Sequence, residues 1–244
     1  MNRTQRSAVE RDPFGRALRD HHRGTRREPL LQRDGPEWVE HPIEEFYFEP
    51  FEGDPWLESR LAGPLLDLGA GAGRHALYFQ ERFETVAVEV SDHLVEVLTE
   101  RGVADARRAD MFALGEAFEP DRFASALVIG TQVGLAGSRV GLERFLSDLA
   151  VVTQPGATVV VDCFDPDASG AAELLGYRPD ETPGLGFRVM TFEYEGHESG
   201  ILLFRLFGPE RLEEAATRAG WKLADLRWPS SETDAYYQAV LEKS

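Results

Sequence analysis

The chain has 244 residues, of which 42% are hydrophobic and 28% charged, with a formal net charge of −17. That length allows one large domain with a substantial core, and no run of 18 apolar residues is present to span a membrane as a helix. The single cysteine, Cys163, excludes an internal disulfide and a cysteine-based zinc site, and the six histidines include no H-E-x-x-H pair; no metal site is expected.

Lysine occurs only at Lys222 and Lys243. Acidic excess with scarce lysine is the composition of proteins that stay soluble in very high salt, so a halophilic host is the expectation; the alternative is an acidic surface that repels anionic partners. Residues 1–33 run against the trend. Nine arginines (Arg3, Arg6, Arg11, Arg16, Arg19, Arg23, Arg26, Arg27, Arg33) stand against four acids (Glu10, Asp12, Asp20, Glu28), a balance of +5 that leaves −22 on the rest. Residues 1–35 therefore read as a basic N-terminal arm on a domain spanning 36–244. The arm either touches nucleic acid or packs against the chain's own acidic surface. Phe14 is its one interleaved aromatic, which favours the second reading. The first 28 residues hold no apolar stretch and are not a secretory signal, so the cytoplasm is the expected location.

Trp38 to Phe48 is aromatic-rich and bounded by breaks at Pro42 and Pro50; it reads as a loop and short helix. From residue 64 strands and helices alternate, which argues for a parallel sheet. The strands are Pro64–Leu68, Thr85–Val90, a short one ending at Ala109-Asp110, Ala124–Ile129 and Thr158–Cys163. A helix is expected over Arg74–Arg82. Ser91 or Asp92 caps a second helix that Gly102 stops, and Ser138 caps a third with Leu142, Phe145, Leu146 and Leu149 on one face. The pattern then changes. Phe187–Tyr194 and Ile201–Phe207 read as a hairpin insertion of about 184–207, followed by a helix between Gly208-Pro209 and Gly220 and two strands near Lys222–Arg227 and Tyr236–Leu241. The fold class is α/β: a seven-stranded, mostly parallel sheet with a final antiparallel strand, helices on both faces, the hairpin insertion and the N-terminal arm.

One stretch stands out, Leu65-Leu66-Asp67-Leu68-Gly69-Ala70-Gly71-Ala72-Gly73-Arg74-His75. A buried strand ends in an acid and runs through three glycines, two apart, into a helix. Glycine lets the backbone turn sharply and a ligand approach closely, and the helix start presents free N–H groups to the same space. Glu89 lies 20 residues beyond Gly69 at the end of the next strand, as in nucleoside-binding α/β units. A dinucleotide fingerprint G-x-G-x-x-G needs its third glycine where Arg74 stands. An acid at the strand end also suits an ammonium group better than a pyrophosphate.

Asp67-x-Gly69-x-Gly71-x-Gly73 resembles motif I of the class I S-adenosylmethionine (SAM) dependent methyltransferases, and the likeness extends over residues 56–244. It implies SAM as cofactor, held by Asp67, Gly69, Ala70, Gly71, Gly73 and Arg74. Glu89 resembles the acid that accepts both ribose hydroxyls, with Val90 beside it. Asp110, Met111 and Phe112 resemble the segment that takes the adenine. Ile129, Gly130 and Thr131 stand where such enzymes reach the methionine part and the acceptor. The resemblance also makes 38–48 a lid over the cofactor; packing on the sheet is the equal alternative. Gly130-Thr131-Gln132-Val133 lacks the Pro-Pro-aromatic signature of base-amine methylation, and Cys163 lies too late in the chain for a cytosine adduct. Small-molecule and carboxylate or phenol acceptors remain open, and a small molecule is the first reading. An RNA or protein methyltransferase guided by the arm, a non-catalytic SAM-binding module and a nicotinamide dehydrogenase stand as the other readings. A general base is needed only if the acceptor must lose a proton; His41, Tyr47, His75, His93, Asp162 and Asp165 are candidates, and none is singled out. The sequence carries no statement of oligomeric state.

Overall fold

A computed structural model describes residues 12–229 and 234–244; Arg3, Arg6, Glu10 and Arg11 of the basic segment lie outside the described residues. The first described element is α1 (Pro13–His22), capped by Asp12, whose Oδ1 accepts from Gly15 N at 2.8 Å. A hairpin follows, β1 (Leu31–Asp34) and β2 (Glu37–Glu40), turning at Gly35-Pro36 with Gly35 at φ +60°. A two-residue turn of this kind needs glycine first. The expectation of a loop from Trp38 is thus corrected: β2 is a strand, and only Glu44–Phe48 forms a single π-helical turn. All four β2 residues are exposed, so neither face carries an apolar signal.

The alternating region is α2 (Pro55–Glu58), β3 (Leu65–Leu68), α3 (Arg74–Phe79), β4 (Thr85–Glu89), α4 (Asp92–Glu100), β5 (Ala106–Arg108), α5 (Leu114–Ala117), β6 (Phe123–Val128), α6 (Arg139–Val152) and β7 (Thr153–Phe164). Then come β8 (Tyr177–Pro179), β9 (Leu185–Tyr194), β10 (His197–Glu198), β11 (Leu202–Phe207), α7 (Pro209–Arg218), β12 (Trp221–Arg227) and β13 (Tyr236–Lys243). Seven strands form one sheet in the order β12-β13-β7-β6-β3-β4-β5. Its pairings are parallel from β7 to β5, and β13 runs antiparallel to both its neighbours. Leu66 and Leu68 face a core completed by Leu142, Phe145 and Leu146 of α6 and Leu212 of α7. Leu65, Leu127 and Val160 face Leu57 of α2 and Phe79 of α3 on the other side. The central strands are buried on both faces, which is why they read as unbroken apolar runs.

The second sheet is built on β9. Its first half pairs with β11 on one edge and β8 on the other; its second half pairs with β10 and with β1. The expected hairpin is therefore part of a larger sheet that takes a strand from the first 35 residues. That early segment also lies on the first sheet's layer. Asp12 Oδ2 accepts from Ser91 Oγ, the N-cap of α4, and Arg19 Nη1 bonds His93 Nδ1 at 2.8 Å. Arg16 meets Glu195 at 3.0 Å, Arg23 meets Glu96 at 3.1 Å, and Arg33 pairs with Glu193. Among the described residues no helix is long and apolar enough to cross a membrane.

Candidate functional site

β3, β4, β5 and β6 are neighbours and parallel, so the segments after them open at one edge of the sheet. Open α/β sheets take their ligands there. Past Leu68 the N–H groups of Gly69 and Ala70 both donate to Val88 O, at 3.0 and 3.2 Å. Gly71, at φ +59°, donates its N–H to Glu89 Oε1 at 2.7 Å. The left-handed conformation is what favours glycine in this turn. A Cβ on Gly71 would come within 3.2 Å of the Tyr47 ring, and one on Gly69 within 2.8 Å of the Gln132 side chain. A Cβ on Gly73 would instead meet Leu98 at 2.8 Å and Val103 at 2.9 Å. Gly69 and Gly71 thus border the space above the strand ends, whereas Gly73 lies where α3 packs on α4.

Two buried carboxyls face this loop. Asp67 Oδ2 is buried and has no hydrogen-bond partner among the described residues. Burial raises the Asp67 carboxyl to about 7; the nearby Glu89 adds to the rise, and the Ala76 N–H opposes it. Glu89 is likewise raised to about 7 by burial, held back by the N–H groups of Gly71 and Val90. Both would be stabilised as anions by a cation or by hydroxyl donors placed between them. Arg74, in the first turn of α3, has a buried Nε with no partner.

The other expected contacts are less enclosed. Val90 is 64% exposed, an apolar side chain left in the open beyond β4. Asp110 is exposed, its Oδ1 accepting from Phe112 N at 2.9 Å. Met111 is buried in the main core, and the Phe112 ring packs 5.6 Å from Phe145, so both turn inward. Ile129 is partly buried against the α2–α3 side.

Gly130 and Thr131 owe their shape to Asp162. Its Oδ2 accepts from Gly130 N at 2.8 Å and from the Tyr236 hydroxyl at 2.7 Å, and its Oδ1 accepts from Thr131 N at 2.5 Å. Thr131 sits at φ +57° without being glycine, a strained conformation that these bonds hold in place. Asp162, one of the candidate bases, is buried within β7, which runs on to Phe164. Asp162→Ala leaves two N–H groups and a hydroxyl without their acceptor. It is expected to lower the urea-unfolding free energy by about 3 kcal/mol; a loss under 1 kcal/mol would separate the loop from this carboxylate.

Residues 41–48 cover the glycine loop. Arg101, just past α4, donates to Ala72 O at 2.7 Å and Tyr47 O at 2.9 Å, and its guanidinium lies 4.9 Å from the Phe48 ring. It ties the π-helical turn to the loop beneath. The Tyr47 hydroxyl bonds His41 Nε2 at 2.9 Å, and burial lowers His41 to about 4, which keeps it neutral. His75 packs on Phe51 with ring centroids 4.9 Å apart and is lowered to about 4, again by burial. His93 is bound by Arg19 at 2.8 Å, and Asp165 Oδ1 accepts from Asp167 N at 3.1 Å. Of the candidate bases, the His41–Tyr47 pair is the one seated against the glycine loop.

No protein-family model matches the chain, and no curated protein does. Solved structures do. A SAM-dependent methyltransferase from Bacteroides fragilis, crystallised with S-adenosyl-L-homocysteine, is 24% identical, with 96% of this chain and 95% of that one covered at a TM-score of 0.74. The CcbJ methyltransferase of Streptomyces caelestis is 19% identical over 78% of this chain and 87% of its own, at 0.58. CalS10, an amino pentose methyltransferase from Micromonospora echinaspora, is 16% identical over 74% and 83%, at 0.53. The chain has the fold of the class I SAM-dependent methyltransferases.

In this methyltransferase fold the Bacteroides fragilis structure matches nearly end to end. Three groups at the site escaped the sequence reading of their roles: Arg101 as the tie, Asp162 as the support of Gly130 and Thr131, and Arg188 of β9, which bonds Leu175 O at 2.9 Å. Their partners lie about 30 or more residues away or on the other sheet, except Arg188 with Leu175, and no local pattern marks them.

Proposed function

We propose that the chain is a SAM-dependent methyltransferase acting on a small molecule. The observation that carries this reading is the buried, unpartnered Oδ2 of Asp67 beside the Glu89–Gly71 bond. An unpaired buried carboxylate oxygen is costly, and the ammonium group of SAM supplies the partner it lacks. The rest of the donor set fits the same molecule. Arg74, with its unpartnered Nε, suits the carboxylate of the methionine part. Each oxygen of Glu89 accepts one backbone N–H and keeps a lone pair for a ribose hydroxyl. Exposed Val90 offers an apolar surface for the adenine ring, and the free oxygen of Asp110 an acceptor for its amino group. Bound there, SAM supplies a methyl group on a sulfonium, a strong electrophile. The chain's part is to align the acceptor with it and exclude water under residues 41–48.

Several neighbours of this fold support the reading through their own ligands. The Bacteroides fragilis protein was solved with S-adenosyl-L-homocysteine and CalS10 with SAM; CalS10 acts on an amino pentose. A small-molecule acceptor is further favoured over RNA because Arg16, Arg23 and Arg33 are engaged by the chain's own acids. The acidic excess supports a high-salt cytoplasm; a circular-dichroism melt is expected to rise with KCl, and equal stability in low and multi-molar KCl would remove that part. Incubation with methyl-labelled SAM and host cell extract, with label fractionated by size, tests the function. Label is expected in the small-molecule fraction. Label in RNA or protein transfers the reading to those acceptors, and S-adenosylhomocysteine binding without any label transfer makes the chain a non-catalytic module.

A further inference from the structure

Among the described residues Arg188 has no carboxylate for a partner. In a chain of net charge −17 this is unexpected, and its neighbour in the sheet shows the usual outcome: Arg205 on β11 pairs with Asp180 at 2.7 Å. Arg188 instead gives Nε to Leu175 O at 2.9 Å and makes a long contact from Nη2 to Gln32 Oε1 at 3.4 Å. Among the described residues no acid lies within ion-pair distance of it. Nη1 has no partner in the protein at all among those residues. Burial lowers its affinity for a proton, the Tyr47 hydroxyl opposes this, and Arg188 in turn helps to keep His41 neutral. A part-buried guanidinium with a free donor and no carboxylate is a receptor for an anion.

The surroundings specify which anion. Arg188, Met190, Phe192 and Tyr194 alternate along β9 and share its inner face, the last three being buried. Phe192 lies 5.3 Å from the His41 ring and 4.8 Å from Phe14, and the Tyr47 ring reaches from His41 to Gly71 of the glycine loop. The walls are aromatic; of the guanidiniums against them Arg16 is paired with Glu195 and Arg101 is given to the carbonyls of Ala72 and Tyr47, which leaves Arg188 as the one without an engaged charge among the described residues. His41 is neutral, and Glu89 acts on Tyr47 as a nearby negative group. One positive charge balances one negative charge; a dianionic phosphate would leave an excess close to Glu89.

We propose that Arg188 anchors the carboxylate of an acceptor that is a monocarboxylic acid with an apolar body, held against Tyr47 and Phe192 beside the glycine loop. The inference rests on the methyltransferase reading and names its substrate class.

The test is calorimetric titration of the full chain with benzoate, benzamide and inorganic phosphate, with and without S-adenosylhomocysteine. Benzoate is expected to bind, benzamide and phosphate at least tenfold more weakly, and Arg188→Gln to lose at least tenfold for benzoate while its S-adenosylhomocysteine affinity stays within about twofold. Equal benzoate binding by Arg188→Gln, no benzoate binding by the parent chain, or tighter binding of phosphate overturns the proposal. Should circular dichroism show Arg188→Gln unfolded, Arg188→Lys keeps the charge without the fork and is expected to bind benzoate several-fold more weakly, with unchanged affinity overturning the anchor. Absence of S-adenosylhomocysteine binding by the parent chain overturns the methyltransferase reading instead, and the benzoate arm without it still decides the role of Arg188.

Discussion

Glu89→Ala is expected to weaken S-adenosylhomocysteine binding by about two orders of magnitude at pH 8, where the carboxylate is ionised. Two effects act together. The ribose hydroxyls lose a charged acceptor, each such bond contributing about 1.5–3 kcal/mol. Gly71 N–H also loses its 2.7 Å partner, so the turn that holds the loop open at φ +59° loses its tether. Glu89→Gln separates the two, because its amide oxygen still receives the Gly71 N–H while the second position becomes a donor. Its NH₂ would face the Val90 N–H that donates to Glu89 Oε2, so it is expected to restore part of the unfolding midpoint and part of the affinity. Calorimetric binding of the alanine variant within threefold of the parent would remove Glu89 from the nucleoside site.

Asp67→Asn is expected to have opposite effects on the free protein and on binding. In the free protein the Asp67 carboxyl stands at about 7, raised chiefly by burial, against an ordinary value of about 3.9. Between these values the folded state holds more proton than the unfolded one. Stability therefore falls as pH rises from about 4 through about 7, by up to about 4 kcal/mol, and the deficit is fully present above that range. Glu89, raised to about 7 in the same way, adds to the same trend. The free parent chain is thus expected to unfold at lower urea at pH 8 than at pH 5.5, and Asp67→Asn to flatten this difference. Binding reverses the picture. The amide presents an N–H₂ or a weaker oxygen where a carboxylate meets an ammonium, and S-adenosylhomocysteine affinity is expected to fall at least tenfold. In the parent chain that affinity should rise from pH 6 to pH 8, as the carboxyl must lose its proton to pair. An asparagine variant with parent-like affinity would show that the orphaned oxygen is not the ammonium site.

These two residues were legible from the sequence because their signals are local. Asp67 ends an apolar run and precedes glycines at alternate positions; Glu89 ends the next run, and strand ends of a parallel sheet converge by topology alone. Ser91 and Ser138 read as caps for the same reason, and both accept the N–H three residues on. The first 35 residues show the limit. Their arginine content reads as an arm, yet Asp12-Pro13 starts a helix and Gly35-Pro36 closes a hairpin whose strand β1 pairs with β9 some 160 residues later. Charge balance outweighed turn chemistry in that reading. β2 left no trace at all, since an edge strand exposed on both faces has no hydropathy period.

By itself the sequence determined the seven-stranded α/β sheet, the glycine loop and the two acids beside it, because hydrophobic period, strand-end chemistry and glycine spacing act over a few residues. Only the tertiary structure decided which groups lack partners. Whether Asp67 Oδ2 is orphaned, whether Arg188 meets an acid, and whether Asp162 faces a ligand or ties down Gly130 and Thr131 depend on residues brought together from distant parts of the chain. Burial and pairing are properties of that assembly, and they set the charge on a site that the local pattern only locates.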